Sequence, residues 1–376
     1  MATNQAMRIP ELPPGRMVEL PDRGSTFVRE LPGPPGAPAV VLLHGWTATA
    51  DLNFFTCFAA LGEHYRVVAL DHRGHGYGIR TKRRFRLADC ADDAVALADV
   101  LGIDRFVPVG YSMGGIIAQL VAHRHPERVE ALVLCSTAGW FATRRKDKLP
   151  FLSMAGLAAL ARVTPQQLKE RITQQAYLQR KAQEWEPWAI EQAGRHDWRA
   201  VLEAGHAIGA FSSRPWLEQL DVATSIVVTA QDHIVPVRRQ IALFELIRRS
   251  EGFRIEGDHD AIVSLAPSYV PLLMRAIRSA LDRAADDGRP IRSPWISADA
   301  DDDASDGEPG RQAANDEFDD LGDLDDDFVD DDIDDDPDTL TGQGEPGPDR
   351  TPGHATAAAA THGHSDLTLD DAEPCA

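Results

Sequence analysis

The stretch RFVPVGYSMGGIIAQLVAHRH, residues 105–125, decides the fold, because it joins a buried strand to an apolar helix through a glycine-flanked serine. The run RFVPVG is almost continuously apolar, which indicates a strand covered on both faces. Helical apolar spacing then follows over residues 115–125. A nucleophilic serine on so tight a turn needs small neighbours, because the backbone there is strained and passes close to adjacent elements. Gly110 and Gly114 leave that space around Ser112, so the context predicts a nucleophile elbow rather than a plain glycine-rich turn.

Outward from this turn, buried strands alternate with helical segments in both directions. A hairpin is predicted over residues 17–30, followed by strands at 39–45, 66–70, 131–135, 225–229 and 253–256. Helical spacing covers residues 52–62, 88–101, 237–249 and 265–282. This alternation predicts an α/β protein with a mostly parallel, doubly wound sheet.

The alternation stops between Ala138 and Trp216, where only helical patterns occur. We therefore expect an α/β core formed by residues 17–138 and 217–282, with a helical block inserted at 139–216. The block is either a cap over a site or an ordinary helical layer, and its spacing alone does not separate the two.

Charge is distributed unevenly along the chain. Residues 283–376 carry 29 acidic and 5 basic side chains, whereas residues 1–282 carry 30 and 33. Residues 283–376 include few large apolar residues, so this segment is predicted to be a disordered acidic tail. A near-neutral body with such a tail argues against a nucleic-acid binder, which needs a basic face. The tail is expected to be solvated, and binding of a basic protein partner is the alternative; the sequence does not specify an oligomeric state.

Neither cofactor nor membrane signals stand out in the sequence. Four cysteines (Cys57, Cys90, Cys135 and Cys375) lack CxxC spacing, so neither a zinc site nor a disulfide framework is predicted. The N-terminus lacks the apolar core of a signal peptide, and no stretch approaches ~18 uncharged apolar residues. We expect a cytoplasmic protein with no membrane span, no metal and no cofactor.

A serine hydroxyl becomes a good nucleophile only when a base takes its proton, and the base must itself be oriented by an acid. Asp232 directly follows the strand predicted at 225–229, and His259 follows the next strand, which places serine, acid and base in the order that this type of fold requires. Asp232 would otherwise cap the following helix, and His259 is one of thirteen histidines. Three nearby residues compete for these roles: His233, Asp258 and Asp260.

The negative charge that forms on the substrate oxygen needs two preorganised N–H donors. We predict the backbone amide of Met113, which follows the nucleophile, and the backbone amide of Trp46, which follows the strand AVVLLHG.

Five motifs together resemble the α/β-hydrolase family over roughly residues 17–282. They are His44-Gly45-Trp46, Asp71-His72-Arg73-Gly74-His75-Gly76, Gly110-Tyr111-Ser112-Met113-Gly114-Gly115, Asp232 before Val235-Pro236, and Gly257-Asp258-His259. The resemblance implies an eight-stranded sheet, a helical cap inserted after the sixth strand, and a structural rather than catalytic role for His72 and His75. Many relatives have glycine where this chain has Asp258, so an additional acid stands beside the base.

The same resemblance narrows the chemistry. Epoxide hydrolases and haloalkane dehalogenases of the family use aspartate at the elbow, so Ser112 argues against both. We expect a serine hydrolase that cleaves a small-molecule ester, thioester or lactone through an acyl-enzyme. The alternatives are a cofactor-free haloperoxidase or perhydrolase, a C–C hydrolase with the same triad, and a non-enzymatic ligand receptor. Apolar residues of the inserted block favour an apolar acyl group: Leu152, Met154, Leu157, Leu160, Trp188 and Ile190.

Overall fold

The computed structural model describes residues 10–142, 145–163, 187–286 and 293–297. Its strands form one nine-stranded sheet in the order β1-β2-β4-β3-β5-β6-β7-β8-β9. The strands are β1 (Gly15–Leu20), β2 (Gly24–Leu31), β3 (Ala39–Leu43), β4 (Arg66–Leu70), β5 (Val107–Tyr111), β6 (Leu132–Cys135), β7 (Thr224–Thr229), β8 (Ser250–Ile255) and β9 (Ser293–Ser297).

The sheet is mostly parallel, as predicted. Only the β1–β2 and β2–β4 pairs are antiparallel, and every pair from β4 through β3 to β9 is parallel. The first eight strands correspond to those predicted from the sequence and its family resemblance. The ninth strand was not predicted. Strand β9 lies in the segment predicted to be a disordered tail, and it pairs with β8 of the core. Trp295 and Ile296 supply apolar residues there that the strongly acidic average of the segment conceals.

Helices cover both faces of the sheet. They are α1 (Ala50–Phe54), α2 (Phe58–Gly62), α3 (Leu87–Val100), α4 (Met113–Arg124), α5 (Arg145–Val163), α6 (Pro187–Gly194), α7 (Trp198–Ala210), α8 (Arg214–Leu217), α9 (Val237–Leu246), α10 (Ala261–Ser264) and α11 (Ala266–Ala285). The helix predicted at 52–62 is two short helices, and α11 continues three residues into the predicted tail. None of the described helices is both long and apolar enough to cross a membrane.

Strand β3 shows why its sequence is continuously apolar rather than alternating. Val41 and Leu43 belong to the hydrophobic core on one face of the sheet, together with Ile116 of α4. Val40 and Leu42 belong to the core on the other face, together with Phe54 of α1. A strand buried on both sides needs apolar residues at every position, which is the pattern that parallel sheets with two helical layers require.

The segment between β6 and β7, residues 136–223, is called the β6–β7 connection below. Within the described residues it contains four helices, α5 to α8, and α5 packs against α7. Residues 164–186 of the predicted helical block lie outside the described residues, as does most of the acidic segment.

Candidate active site

Ser112 lies at the carboxyl end of β5, where the chain turns abruptly into α4. Its φ of 55° and ψ of −117° are an unfavourable combination for a residue with a side chain, and such strain persists only where the surroundings enforce it. Its amide donates to the carbonyl of Cys135 at 2.9 Å, and its carbonyl accepts from the Thr137 hydroxyl at 2.7 Å. These bonds hold the strained turn in place.

The glycines around Ser112 are required by close backbone contacts. A Cβ on Gly110 would collide with the backbone of Gly114, and a Cβ on Gly114 would collide with the carbonyl of Leu43 in β3. Both positions therefore exclude side chains for the reason that the sequence suggested. The elbow is fitted tightly between β3 and the first turn of α4.

The three residues predicted as nucleophile, base and acid lie in one hydrogen-bonded row. The Nε2 atom of His259 is 3.0 Å from the Oγ atom of Ser112, and its Nδ1 atom is 2.8 Å from the Oδ2 atom of Asp232. A carboxylate accepts only, so Nδ1 carries the proton and Nε2 is free to accept from the serine hydroxyl. The tyrosine hydroxyl of Tyr111 also donates to the backbone carbonyl of His259, which fixes the loop that carries the ring.

Asp232 is anchored from several directions. Its Oδ1 atom accepts from the amides of Ile234 and Val235, each at 2.8 Å, while Oδ2 also accepts from the Thr229 hydroxyl at 2.8 Å and from the Gln240 amide at 3.1 Å. Burial by itself would raise the pKa of Asp232, but the hydrogen bonds from His259, Val235 and Thr229 outweigh it and lower that pKa. The carboxylate is therefore kept ionised and in one orientation.

The competing residues have other partners. Asp258 accepts through Oδ1 from the amides of His233 at 3.0 Å and His259 at 2.7 Å, and its Oδ2 lies 3.1 Å from the His233 ring. Asp260 accepts from the Ser264 hydroxyl at 2.9 Å. Asp258 thus ties the loop of the acid to the loop of the base, whereas the imidazole next to Ser112 belongs to His259.

The loop after β3 lies against the nucleophile. A Cβ on Gly45 would come within 3.3 Å of the Ser112 Cβ atom. The Gly45 amide is already used, since it donates to the buried Asn53 side chain at 2.6 Å. The next amide along the chain is that of Trp46, and it donates no hydrogen bond to any of the described residues. Met113 is the first residue of α4, so its amide has no acceptor within the helix.

Four buried histidines lie beside this loop and are called the imidazole cluster: His44, His72, His75 and His196. Their rings form a row, with centroid separations of 4.3 Å between His44 and His72 and 5.3 Å between His75 and His196. Burial lowers the pKa of all four, to about 3 for His72 and about 4 for His196. The cluster is neutral near pH 7, and the sequence did not indicate that His196 belongs to it.

The apolar residues expected to shape an acyl pocket divide into two groups. Leu152, Leu157 and Leu160 of α5 are exposed, so their proposed contribution to an acyl pocket stays a prediction. Phe151, Met154 and Ala158 form the other face of α5; the first two contact α7 at Gly209 and Gly205. Trp188 is buried edge-on against Phe55, while Ile190 is half-buried.

Asn53 and Gln240 were not found from the sequence, although both contact predicted site elements. Each is a buried polar residue in a short helix. Buried polar groups need partners, so a polar residue on a core-facing position is the signal that could have identified them.

The chain is similar in sequence and in structure to known proteins of one family. The family model described as "alpha/beta hydrolase fold" matches residues 38–263. The protein named "Putative carbamate hydrolase RutD" from Agrobacterium fabrum is 26% identical over 220 residues, which cover 57% of this chain and 83% of the relative. A poly(3-hydroxyalkanoate) depolymerase from Ectopseudomonas oleovorans is 26% identical over 281 residues, which cover 73% and 96%. The solved structure of an esterase from Exiguobacterium antarcticum has a TM-score of 0.59 at 20% identity, covering 71% of this chain and 100% of that one. This last similarity shows the fold.

Proposed function

The chain belongs to the α/β-hydrolase fold family, and on that basis we propose that it is a serine hydrolase that cleaves an ester-like bond through an acyl-enzyme on Ser112. The observation that carries the proposal is the hydrogen-bonded row in which His259 lies 3.0 Å from the Ser112 hydroxyl and 2.8 Å from Asp232. An imidazole in this position can take the serine proton while the carboxylate stabilises the resulting cation.

In the proposed reaction, the Ser112 oxygen attacks the acyl carbon and its proton moves to Nε2 of His259. The amides of Trp46 and Met113 donate to the oxygen that becomes negative, and each such donor typically contributes about 100- to 1000-fold in turnover. His259 then passes the proton to the leaving group, which departs and leaves the acyl group on Ser112. A water molecule, activated by the same imidazole, releases the acid.

The proposed substrate is a small molecule with an acyl carbon bonded to an oxygen, sulfur or nitrogen leaving group. The names of two relatives, "Putative carbamate hydrolase RutD" and "Poly(3-hydroxyalkanoate) depolymerase", support a substrate of this kind. An ester, thioester or lactone is proposed as readily as a carbamate, because the residues assigned to the reaction act on the acyl carbon and its oxygen, which all four share.

We also propose that the helical block at residues 139–216, which lies within the β6–β7 connection, acts as a cap. Three contacts support this role: the Trp46 indole donates to the Val201 carbonyl at 2.8 Å, His196 lies 3.1 Å from the Thr47 carbonyl, and Trp188 packs against Phe55. All three join the connection to the segment that follows β3, and that segment adjoins Ser112.

Labelling with a fluorophosphonate probe, followed by peptide mapping, tests the proposed function. Wild type is expected to form an adduct on Ser112, while Ser112→Ala and His259→Ala form none. Ser264→Ala is the matched control, because Ser264 pairs with a carboxylate but has no imidazole partner among the described contacts. Persistence of the adduct in Ser112→Ala, or failure of folded wild type to react, would contradict the proposal.

Turnover of p-nitrophenyl acetate, butyrate and octanoate then defines the acyl preference. A parallel assay of bromide oxidation with peroxide in acetate separates hydrolysis from perhydrolysis. Ester hydrolysis is expected to be the faster reaction.

A further inference from the structure

His196, in the turn between α6 and α7, connects two loops beside the proposed active site. Its Nδ1 atom accepts from the Gly76 amide at 2.9 Å, and its Nε2 atom lies 3.1 Å from the Thr47 carbonyl. A backbone amide only donates and a carbonyl only accepts, so the ring must carry its proton on Nε2. The imidazole is buried, and burial lowers its pKa to about 4. It therefore donates to Thr47 in a single tautomer at neutral pH.

A second contact joins the same connection to the same loop. The Trp46 indole donates to the Val201 carbonyl at 2.8 Å and packs against α7 at Gly205. A Cβ on Gly205 would lie 2.7 Å from the Cζ2 atom of the indole. Glycine inside a helix is unfavourable compared with alanine, and the close approach of the indole gives a reason for it here.

These contacts bear on the orientation of the Trp46 backbone amide. On one side of Trp46, the Gly45 amide is held by Asn53. On the other side, Thr47 has a φ of 60°, a left-handed conformation that a β-branched residue adopts only when its surroundings impose it. His196 donates to the carbonyl of this strained residue. Thr47 directly follows Trp46, whose amide the proposed function requires.

We infer that His196 is a positioning residue: by holding Thr47, it aims the Trp46 amide at the oxygen that becomes negative when Ser112 attacks. The inference rests on the proposed function. A donor accelerates the reaction only if it already points to where charge develops. Loss of the His196 contact should therefore reduce turnover while leaving substrate binding nearly unchanged.

Two substitutions at one position separate the two hydrogen bonds of His196. In His196→Asn, the side-chain oxygen can occupy the place of Nδ1 and accept from Gly76, but nothing reaches Thr47. In His196→Gln, the longer side chain places an N–H near the position of Nε2 and can restore the bond to Thr47. His206→Asn is the matched control, because His206 also contacts a backbone carbonyl, that of Phe151, within the β6–β7 connection.

With p-nitrophenyl acetate as substrate, His196→Asn is expected to lower kcat about 10- to 100-fold with KM changed less than about threefold. His196→Gln should recover most of that loss, and His206→Asn should behave as wild type. Trp46→Phe tests the second contact independently, since it removes the indole donor but keeps the backbone amide. It is expected to lower kcat without raising KM.

Inhibitor binding gives a readout that a purely structural role would not change. An alkyl trifluoromethyl ketone is attacked by the Ser112 oxygen, its carbonyl oxygen becomes negative, and the serine proton passes to His259. The corresponding methyl ketone binds without forming this adduct. His196→Asn should weaken the trifluoromethyl ketone by the same factor as kcat and leave the methyl ketone unaffected.

Equal weakening of both ketones, or an unchanged kcat in folded His196→Asn and Trp46→Phe, would overturn the inference while leaving the proposed function intact. Wild type that neither reacts with a fluorophosphonate nor hydrolyses the ester would overturn both.

Discussion

Replacing Gln240 with methionine should destabilise the protein strongly, although Gln240 touches neither the proposed nucleophile nor the base. Gln240 lies on α9 and is fully buried. Its side-chain oxygen accepts from the Thr229 amide at 3.1 Å, and its side-chain nitrogen donates to the Val235 carbonyl at 2.9 Å and to Asp232 at 3.1 Å. The Gln240 side-chain amide therefore provides hydrogen-bond partners for the last residue of β7, for the chain just before α9 and for the proposed acid.

The size of the effect follows from the groups left without a partner. Methionine preserves the volume, so no large cavity forms. The Thr229 N–H and the Val235 carbonyl remain buried, and each unsatisfied buried group costs about 1–3 kcal/mol. We therefore expect the free energy of unfolding to fall by about 2–6 kcal/mol. In a domain of this size that corresponds to a decrease in Tm of roughly 5–20 °C.

Urea unfolding followed by circular dichroism measures this change, with the slope m expected to stay constant. Gln219→Met is the matched control, because Gln219 is exposed and its side chain contacts only the Pro215 carbonyl among the described residues. The control should lie within about 0.5 kcal/mol of wild type. A Gln240→Met variant as stable as the control would refute the assumption that water cannot replace the lost bonds.

Three further predictions concern the elbow, the base loop and the imidazole cluster. Gly114→Ala should reduce stability or soluble yield severely because its Cβ collides with the β3 carbonyl, whereas Gly156→Ala, in open space on α5, should raise the free energy of unfolding by about 0.5–1 kcal/mol; thermal unfolding compares them. Asp258→Ala removes the acceptor of two loop amides and should lower kcat roughly tenfold, while Asp258→Asn keeps an acceptor and should retain most activity; equal kinetics for the two would argue against this role. Acidification from pH 7 to pH 5 should destabilise the protein. The cluster histidines have lower pKa values in the folded state than the 6.5 of the unfolded chain, about 4 in the case of His196. As the pH falls through 6.5 the unfolded chain therefore gains protons that the folded protein does not, and stability is lost. The loss is about 2 kcal/mol each for His72 and His196, partly offset by Asp71, whose pKa burial raises to about 6; a Tm that is flat over this range would contradict it.

The site elements that could be predicted from the sequence are those that backbone geometry demands. Ser112, Asp232 and His259 each follow a buried strand, and the carboxyl ends of parallel strands meet at one edge of the sheet. Their chain order and the glycines of the elbow are local features, so they can be read without knowledge of long-range packing. The imidazole of His259 lies 3.0 Å from the Ser112 hydroxyl and 2.8 Å from the Asp232 carboxylate.

Helix α5 shows where periodicity alone was insufficient. Both of its faces carry apolar residues, and the sequence analysis named Leu152, Met154, Leu157 and Leu160 of this helix as residues that favour an apolar acyl group. The three leucines are exposed, whereas Met154 meets α7 at Gly205, Phe151 meets it at Gly209, and Ala158 is buried. Which face packs is decided by the small residues of the partner helix, and those lie about fifty residues later in the chain. A periodicity analysis confined to α5 does not contain that information.

The polar residues that support the site were missed for a related reason. Asn53, His196 and Gln240 each act on a backbone group of a different element, and the donor–acceptor pairs span from 8 to 149 residues in sequence. A buried polar residue needs a partner, but a single sequence does not say which one. Their roles therefore become visible only after the strands and helices have been assembled.

The contrast between Ser112 and Trp46 has a mechanistic consequence. The nucleophile is held by β3, β5 and α4, by Cys135 at the end of β6, and by Thr137, two residues after β6, where the β6–β7 connection begins. The proposed oxyanion donor at Trp46 is held on one side by Asn53 near the sheet and on the other by His196 and Val201 of the β6–β7 connection. If the connection serves as a cap, a movement that opens it for the substrate would loosen the donor while leaving the nucleophile in place. Ester cleavage would then be fast only with the cap closed. Ser112 keeps its position in either state, whereas the Trp46 amide is held in its donating orientation only when the cap is closed.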